Sequence, residues 1–262
     1  MKKFNEKLSK FCKEKNNRLC LGLDVDNSKL KNSSLKYLED YIVDIIDNTI
    51  DLCPIYKVNF AFYERFGSDG FKILEKINSI INGRAISIAD AKRGDIGNSS
   101  KFYADAIFNF LEFDSITVSP YMGLDSIEPF IQYKDKGIFV LCLTSNKGSE
   151  DFQMKISNNK EIYKYVIDMA IKNNYNNNLG LVIGATNKKY LKEIKSLSGN
   201  LPWLMPGVGF QGGDLKESIS IGEKNGIAII NVSRGILNAG NRTINDIRKA
   251  TKIYTEQIRA VL

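Results

Sequence analysis

The sequence predicts an α/β fold, a closed (β/α)8 TIM barrel with one extra N-terminal helix. Eight short apolar runs recur along the 262 residues, each leaving through a polar or glycine-containing exit. Segments with helical spacing separate them, so strand and helix alternate at a repeat of roughly 22 to 40 residues. The runs are continuous rather than alternating in polarity, as expected of strands covered on both faces of a parallel sheet. A doubly wound open sheet shares that alternation and is the second choice; eight units in about 250 residues match the barrel.

Residues 2 to 15 are amphipathic and lysine-rich, a helix preceding the first strand. The strands are expected at Leu19 to Asp24, Ile55 to Asn59, Ala85 to Asp90, Ser115 to Ser119, Ile138 to Thr144, Leu179 to Gly184, Trp203 to Pro206 and Ala228 to Ser233. Tyr41, Ile42, Ile45, Ile46, Thr49 and Ile50 give the helical face after the first strand, and Phe102, Ala106 and Phe110 give one after the third. The run from Asn173 to Asn178 reads as compositional bias marking a loop. Thr243 to Leu262 is the closing helix, and no linker divides the chain, so residues 1–262 are expected to form one domain.

Composition narrows the function. A 43% hydrophobic content supports a sizeable core. Cys12, Cys20, Cys53 and Cys142 lie in apolar settings without C-x-x-C spacing, and read as reduced packing residues of a cytoplasmic protein. No run approaches the roughly 18 apolar residues of a membrane span, and the N-terminus lacks an apolar signal core, so no membrane partner is expected. The net charge is +7, but lysines are interleaved with acids along the whole chain. That distribution argues against nucleic acid and suits capture of an anionic metabolite. The chain has no histidine, which excludes Ser-His-Asp and Cys-His machinery and histidine metal sites. Acid-base work falls to Lys, Asp and Glu.

The charged stretch Asp90-Ala-Lys92-Arg-Gly-Asp95 follows the third apolar run. Residues 90 and 92 share one face of an extended segment, and a turn through Gly94 can bring a carboxylate near the same ammonium from this chain or a neighbouring one. A lysine among carboxylates keeps its proton at neutral pH and is a candidate proton donor; a solvated loop with weak ion pairs is the bland alternative. Barrel sites form where βα loops leave the strands. Asp24, Lys57, Asn59, Asp90, Lys92, Thr144 and Ser145 all fall there. After the seventh strand, the loop from Pro206 to Asp214 carries four glycines and Gln211; after the eighth, Asn231-Val-Ser-Arg234-Gly235 supplies a guanidinium. Loops seven and eight of barrels often hold phosphate, and glycines let backbone N–H groups approach it.

Taken in order, Asp24, Lys57-Val-Asn59, Asp90-Ala-Lys92-Arg-Gly-Asp95-Ile-Gly, Ser119-Pro-Tyr-Met-Gly123, Pro206-Gly-Val-Gly-Phe-Gln211-Gly-Gly and Ser233-Arg234-Gly235 closely resemble the orotidine 5'-monophosphate decarboxylase family. The resemblance spans nearly the whole chain and is similar to the branch with longer loops; Ser99 stands where that family frequently has threonine. It implies loss of carbon dioxide from C6 of orotidine 5'-monophosphate, without metal or organic cofactor. By matching position it implies Lys57, Asp90, Lys92 and Asp95 as catalytic residues, Lys92 protonating C6. Asp24 and Asn59 match ribose contacts, Thr144 and Ser145 the base contacts, and Pro206, Gln211, Ser233, Arg234 and Gly235 the phosphate end. Asp95, followed by Ile96 and Ser99, is implied to act across a homodimer interface. No phosphoribosyltransferase unit is expected on this chain.

Other readings remain at this level. A keto-sugar phosphate decarboxylase of the same superfamily would need magnesium and further carboxylates. A Schiff-base aldolase would need a neutral Lys57 or Lys92, which neighbouring carboxylates oppose. A non-catalytic nucleotide-binding or RNA-associated protein would have no need of the charged array.

Overall fold

Eight parallel strands close on themselves, and the alternation of side chains along each strand sends one set inward and the other toward the helices. The computed structural model describes residues 3–208 and 213–262. The strands are Leu19–Gly22, Ile55–Asn59, Ile86–Arg93, Ser115–Val118, Gly137–Leu143, Leu179–Ile183, Trp203–Pro206 and Ala228–Val232; each overlaps one of the predicted runs, and the third continues past its expected end at Asp90 to Arg93. The first pairs with both the second and the eighth, which completes the barrel.

The inward set is apolar in the lower half: Cys20, Ile55, Ile86, Ile88, Phe139, Val182, Leu204 and Ile229 form one buried cluster. The N-terminal helix Phe4–Glu14 plugs this end, contributing Phe4, Leu8 and Cys12 to the same cluster. Gly137 makes the plug possible, because a Cβ there would lie 2.2 Å from the Phe4 ring. Phe4 then meets Phe139 edge to face, with ring centroids 6.1 Å apart. The outward set, including Leu21, Tyr56, Val58, Ile116, Val140 and Leu181, packs beneath the helices. Local chemistry fixes the helix ends: Ser34 caps Leu35–Asp47, and Thr243 with Asp246 forms a reciprocal capping box on Ile244–Arg259. All four cysteines are free and buried. Among the described residues, no helix is long and apolar enough to cross a membrane.

One local expectation needs correction, and two features were not foreseen. The helix Gly97–Asp105, which continues as a π-turn over Ala106–Phe110, does not bury Phe102, Ala106 and Phe110. Its core face is Ala104, Ile107, Phe108 and Leu111, with Phe108 against Phe130 and Tyr133; both faces are apolar, and spacing alone picks the wrong one. The asparagine run is more than a biased loop. Asn178 is buried and donates to the carbonyls of Ile131, Tyr133 and Lys136, while Asn174 accepts from the N–H groups of Asn178 and Leu179, so the run satisfies backbone groups below the fifth and sixth strands. Finally, a two-residue hairpin, Ile156–Ser157 with Lys160–Glu161, interrupts the segment after the fifth strand.

Candidate active site

Two residues beyond the apolar inward positions, the same strand faces turn polar: Lys57 follows Ile55, Asp90 follows Ile88 and Asn231 follows Ile229, and on the fourth strand Thr117 follows the buried Ser115. Leu141, Val182 and Leu204 complete an apolar wall opposite them. The result is a cleft of about 420 Å³ at the C-terminal ends of the strands.

Four charges alternate across its floor. Lys57 Nζ lies 2.9 Å from Asp90 Oδ2 and 3.5 Å from Asp24 Oδ1, and Lys92 Nζ donates to Asp90 Oδ1 at 2.6 Å. Lys57 and Asp90 are buried, whereas the Lys92 side chain keeps 49% of its surface exposed. Burial alone pushes the Asp90 carboxyl up, but the ammoniums of Lys57 and Lys92 and their hydrogen bonds outweigh it and hold the carboxyl well below the usual range. Burial likewise pulls the Lys57 ammonium down, and Asp24 and Asp90 together raise it above the ordinary lysine value. Both groups are therefore fully charged at neutral pH.

Lys92 reaches this position through an irregular backbone. Ala89 pairs with Ile116 and Arg93 with Val118, so Asp90, Ala91 and Lys92 of the third strand stand opposite Thr117 alone. Lys92 itself has φ +48°, the left-handed region that non-glycine residues seldom occupy. The Lys92 N–H donates to Thr117 Oγ1 at 3.1 Å, and Thr117 Oγ1 donates to Asp90 Oδ1 at 2.9 Å. Beyond the bulge, the Arg93 guanidinium pairs with Glu64 and lies over the Tyr103 and Phe60 rings, tying the strand end to its neighbours.

Of the residues singled out from sequence, Asp24, Lys57, Asn59, Asp90, Lys92, Thr144, Ser145, Pro206, Ser233, Arg234 and Gly235 line this one cleft. Thr144 is held by Gln153, whose Oε1 accepts the Thr144 N–H at 2.7 Å, and its hydroxyl donates to Asn146. Asp95, Ile96 and Ser99 do not line it; Ile96 and Ser99 are exposed, and Asp95 Oδ1 accepts the N–H of Ile96. Gln211 lies outside the described residues. Sequence reasoning missed Thr117, Asn146, Asn231 and Val208 as lining residues. Period-two counting from Ser115 and Ile229 would have pointed Thr117 and Asn231 inward. Asn231 Oδ1 and Ser233 Oγ are buried and hydrogen-bond to none of the described residues, which leaves polar capacity at the end of the cleft that also holds Arg234. Among the described residues, no group of three His, Cys, Asp or Glu side chains is placed to hold a metal ion.

Comparison with known proteins shows the family and the fold. Residues 17–245 match the Orotidine 5'-phosphate decarboxylase / HUMPS family. A Dehalococcoides mccartyi protein named orotidine 5'-phosphate decarboxylase is 47% identical over 98% of this chain and 96% of its own length. The solved OMP decarboxylase of Leishmania donovani superposes with a TM-score of 0.88 at 35% identity, covering 99% of this chain and 98% of that one. The UMP synthase of the same organism gives 0.90 at 37% identity, covering all of this chain and 57% of that one.

Proposed function

The chain belongs to the orotidine 5'-phosphate decarboxylase / HUMPS family and decarboxylates orotidine 5'-monophosphate to uridine 5'-monophosphate in pyrimidine biosynthesis, and we propose that the array of Asp24, Lys57, Asp90 and Lys92 is its catalytic centre. One observation carries the assignment: a half-exposed ammonium is held 2.6 Å from a buried carboxylate that two further groups lock in place.

In the proposed reaction the bond between C6 and the carboxylate breaks, carbon dioxide leaves, and the electron pair stays on C6. The Lys92 ammonium faces that developing charge, stabilises it and transfers a proton to C6; water then reprotonates the amine. Asp90 orients Lys92, and Lys57 keeps Asp90 ionised while reaching the ribose with Asp24 and Asn59. Thr144 and Ser145 face the base. Arg234 supplies a charged, planar donor pair for the phosphate, with Gln211, Pro206, Ser233 and Gly235 around it. The steps require no metal or organic cofactor, so turnover is expected to be insensitive to a chelator.

The proposal includes a homodimer in which Asp95 of the partner subunit completes the site, followed by Ile96 and Ser99. Two observations support it. Asp95, Ile96 and Ser99 do not line the cleft of their own chain. Large apolar side chains on the segments that follow the third and fourth strands are exposed, Ile96 by 56%, Phe102 by 72% and Tyr121 by 77%. The whole of residues 1–262 is read as one decarboxylase unit. The buried free cysteines fit a reducing cytoplasm.

Subunit mixing tests this reading. Asp90→Ala and Asp95→Ala homodimers should each be nearly inactive. In a two-fold dimer, statistical exchange of equal amounts should regenerate about one quarter of the sites, because half of the dimers then carry one intact pair. Activity that stays absent after exchange has been demonstrated would refute the shared site, and a wild-type enzyme inactive on orotidine 5'-monophosphate would refute the catalytic assignment.

A further inference from the structure

We propose that Thr117 is a positioning residue for the decarboxylation: its hydroxyl ties the bulged backbone of Lys92 to the carboxylate that aims the lysine's ammonium. The inference rests on the proposed role of Lys92.

The bulge creates the need. With three residues of the third strand opposite one residue of the fourth, regular ladder hydrogen bonds cannot form across Asp90 to Lys92. The Lys92 N–H is thereby deprived of a backbone carbonyl, at a residue already held at φ +48°. Thr117 Oγ1 stands in for that carbonyl at 3.1 Å. The direction of its second bond is fixed, since an ionised carboxylate only accepts: the Thr117 hydroxyl must donate to Asp90 Oδ1, 2.9 Å away. That same oxygen receives the Lys92 ammonium at 2.6 Å. One hydroxyl therefore closes a ring running from the lysine's backbone through Thr117 and Asp90 to the lysine's own side-chain nitrogen. Thr117 is buried, so water does not readily replace the hydroxyl, and its β-branch restricts the rotamer.

The test keeps shape and removes the hydroxyl. Thr117→Val should lower kcat about 10- to 100-fold, the scale of a small misplacement of a catalytic group, while KM stays within about threefold. Thr117→Ser restores the hydroxyl and should recover most of the lost kcat. The acidic limb of the kcat/KM profile should move to higher pH in Thr117→Val, because a bond favouring the Asp90 carboxylate has gone. If Thr117→Val does not fold, Thr117→Ala removes the same two bonds with less bulk and carries the same expectation. An active wild type with unchanged kcat in a folded Thr117→Val would overturn the inference, as would a Thr117→Ser variant as impaired as Thr117→Val. A wild type without decarboxylase activity, or a fully active Lys92→Ala, would instead strike the catalytic reading on which it rests.

Discussion

Lys57→Met removes a cation that two carboxylates share inside the barrel while keeping most of the stem volume. In the native chain Lys57 Nζ sits 2.9 Å from Asp90 and 3.5 Å from Asp24, with Lys57 and Asp90 both buried. Breaking a buried pair from one side costs about 3–5 kcal/mol, chiefly because the remaining charge is left without compensation. For a chain of this length each kcal/mol moves the midpoint by roughly 2–4 °C, so thermal unfolding at pH 7 should begin about 10 °C lower. The pH dependence has a definite sign. Asp90's folded carboxyl lies below its unfolded value of about 3.9, so its contribution is present above that pH and lost as pH falls through the folded value. Lys57 is raised above its unfolded value of about 10.4, so its contribution is present below that pH and lost as pH climbs through the folded value. Without Lys57, burial of Asp90 is opposed mainly by Lys92, its carboxyl rises, and protonation relieves the penalty. The stability gap between variant and wild type should therefore narrow as pH falls from 7 towards about 4. Urea denaturation of wild type, Lys57→Met and Lys57→Met/Asp90→Asn at several pH values measures this. The double variant should be more stable than the single one at pH 7. A Lys57→Met protein as stable as wild type, or a double variant no better than the single, would refute the reasoning.

Lys92→Ala should cost at least about three orders of magnitude in kcat with near-native thermal unfolding, since the side chain is half exposed and the strand does not depend on it for packing; the decarboxylation assay decides. Arg234→Ala should lower kcat/KM for orotidine 5'-monophosphate by about 100-fold or more, yet leave the slow reaction of orotidine, which has no phosphate, almost unchanged. Equal proportional losses for nucleotide and nucleoside would place Arg234 in a structural role.

Much of this was legible because barrel strands write their register into the sequence. The first and third apolar runs end in charge, at Asp24 and Asp90, and the period of two places Lys57 with Ile55 and Asp90 with Ile88 on the inward face without knowledge of their neighbours. What was hidden depends on relations between strands. The bulge opposite Thr117 exists only once the third and fourth strands are paired, so neither φ +48° at Lys92 nor the hydroxyl that supports it is visible in either strand alone. The helix after the third strand misled for a related reason: with apolar residues on both sides, the chain does not say that Phe108 turns to the core and Phe102 to the outside. Asn178 serves three carbonyls from a different turn, a job that composition cannot disclose.

The division of labour in the array follows from where its charges are buried. Asp90 and Lys57 are displaced in opposite directions from their ordinary values, the carboxyl downward and the ammonium upward, so neither changes protonation near neutral pH. Their burial would be prohibitive if they were unpaired, but Asp90 Oδ2 is met by Lys57, and Asp90 Oδ1 by Lys92 and Thr117. In the proposed mechanism they supply a fixed field that needs no reorganisation while carbon dioxide departs. In the proposed mechanism Lys92 has the opposite requirement, because it would lose a proton to C6 and regain one each cycle. Its ammonium is anchored at one end by Asp90 while its side chain stays open to the cleft, where water can restore the proton once product leaves. Burying Lys92 as deeply as Lys57 would preserve the field and stall the cycle; exposing Asp90 as fully as Lys92 would let water screen the field. The barrel's inward face, with Asp90 and Lys92 two positions apart across a bulge, places one charge on each side of that boundary.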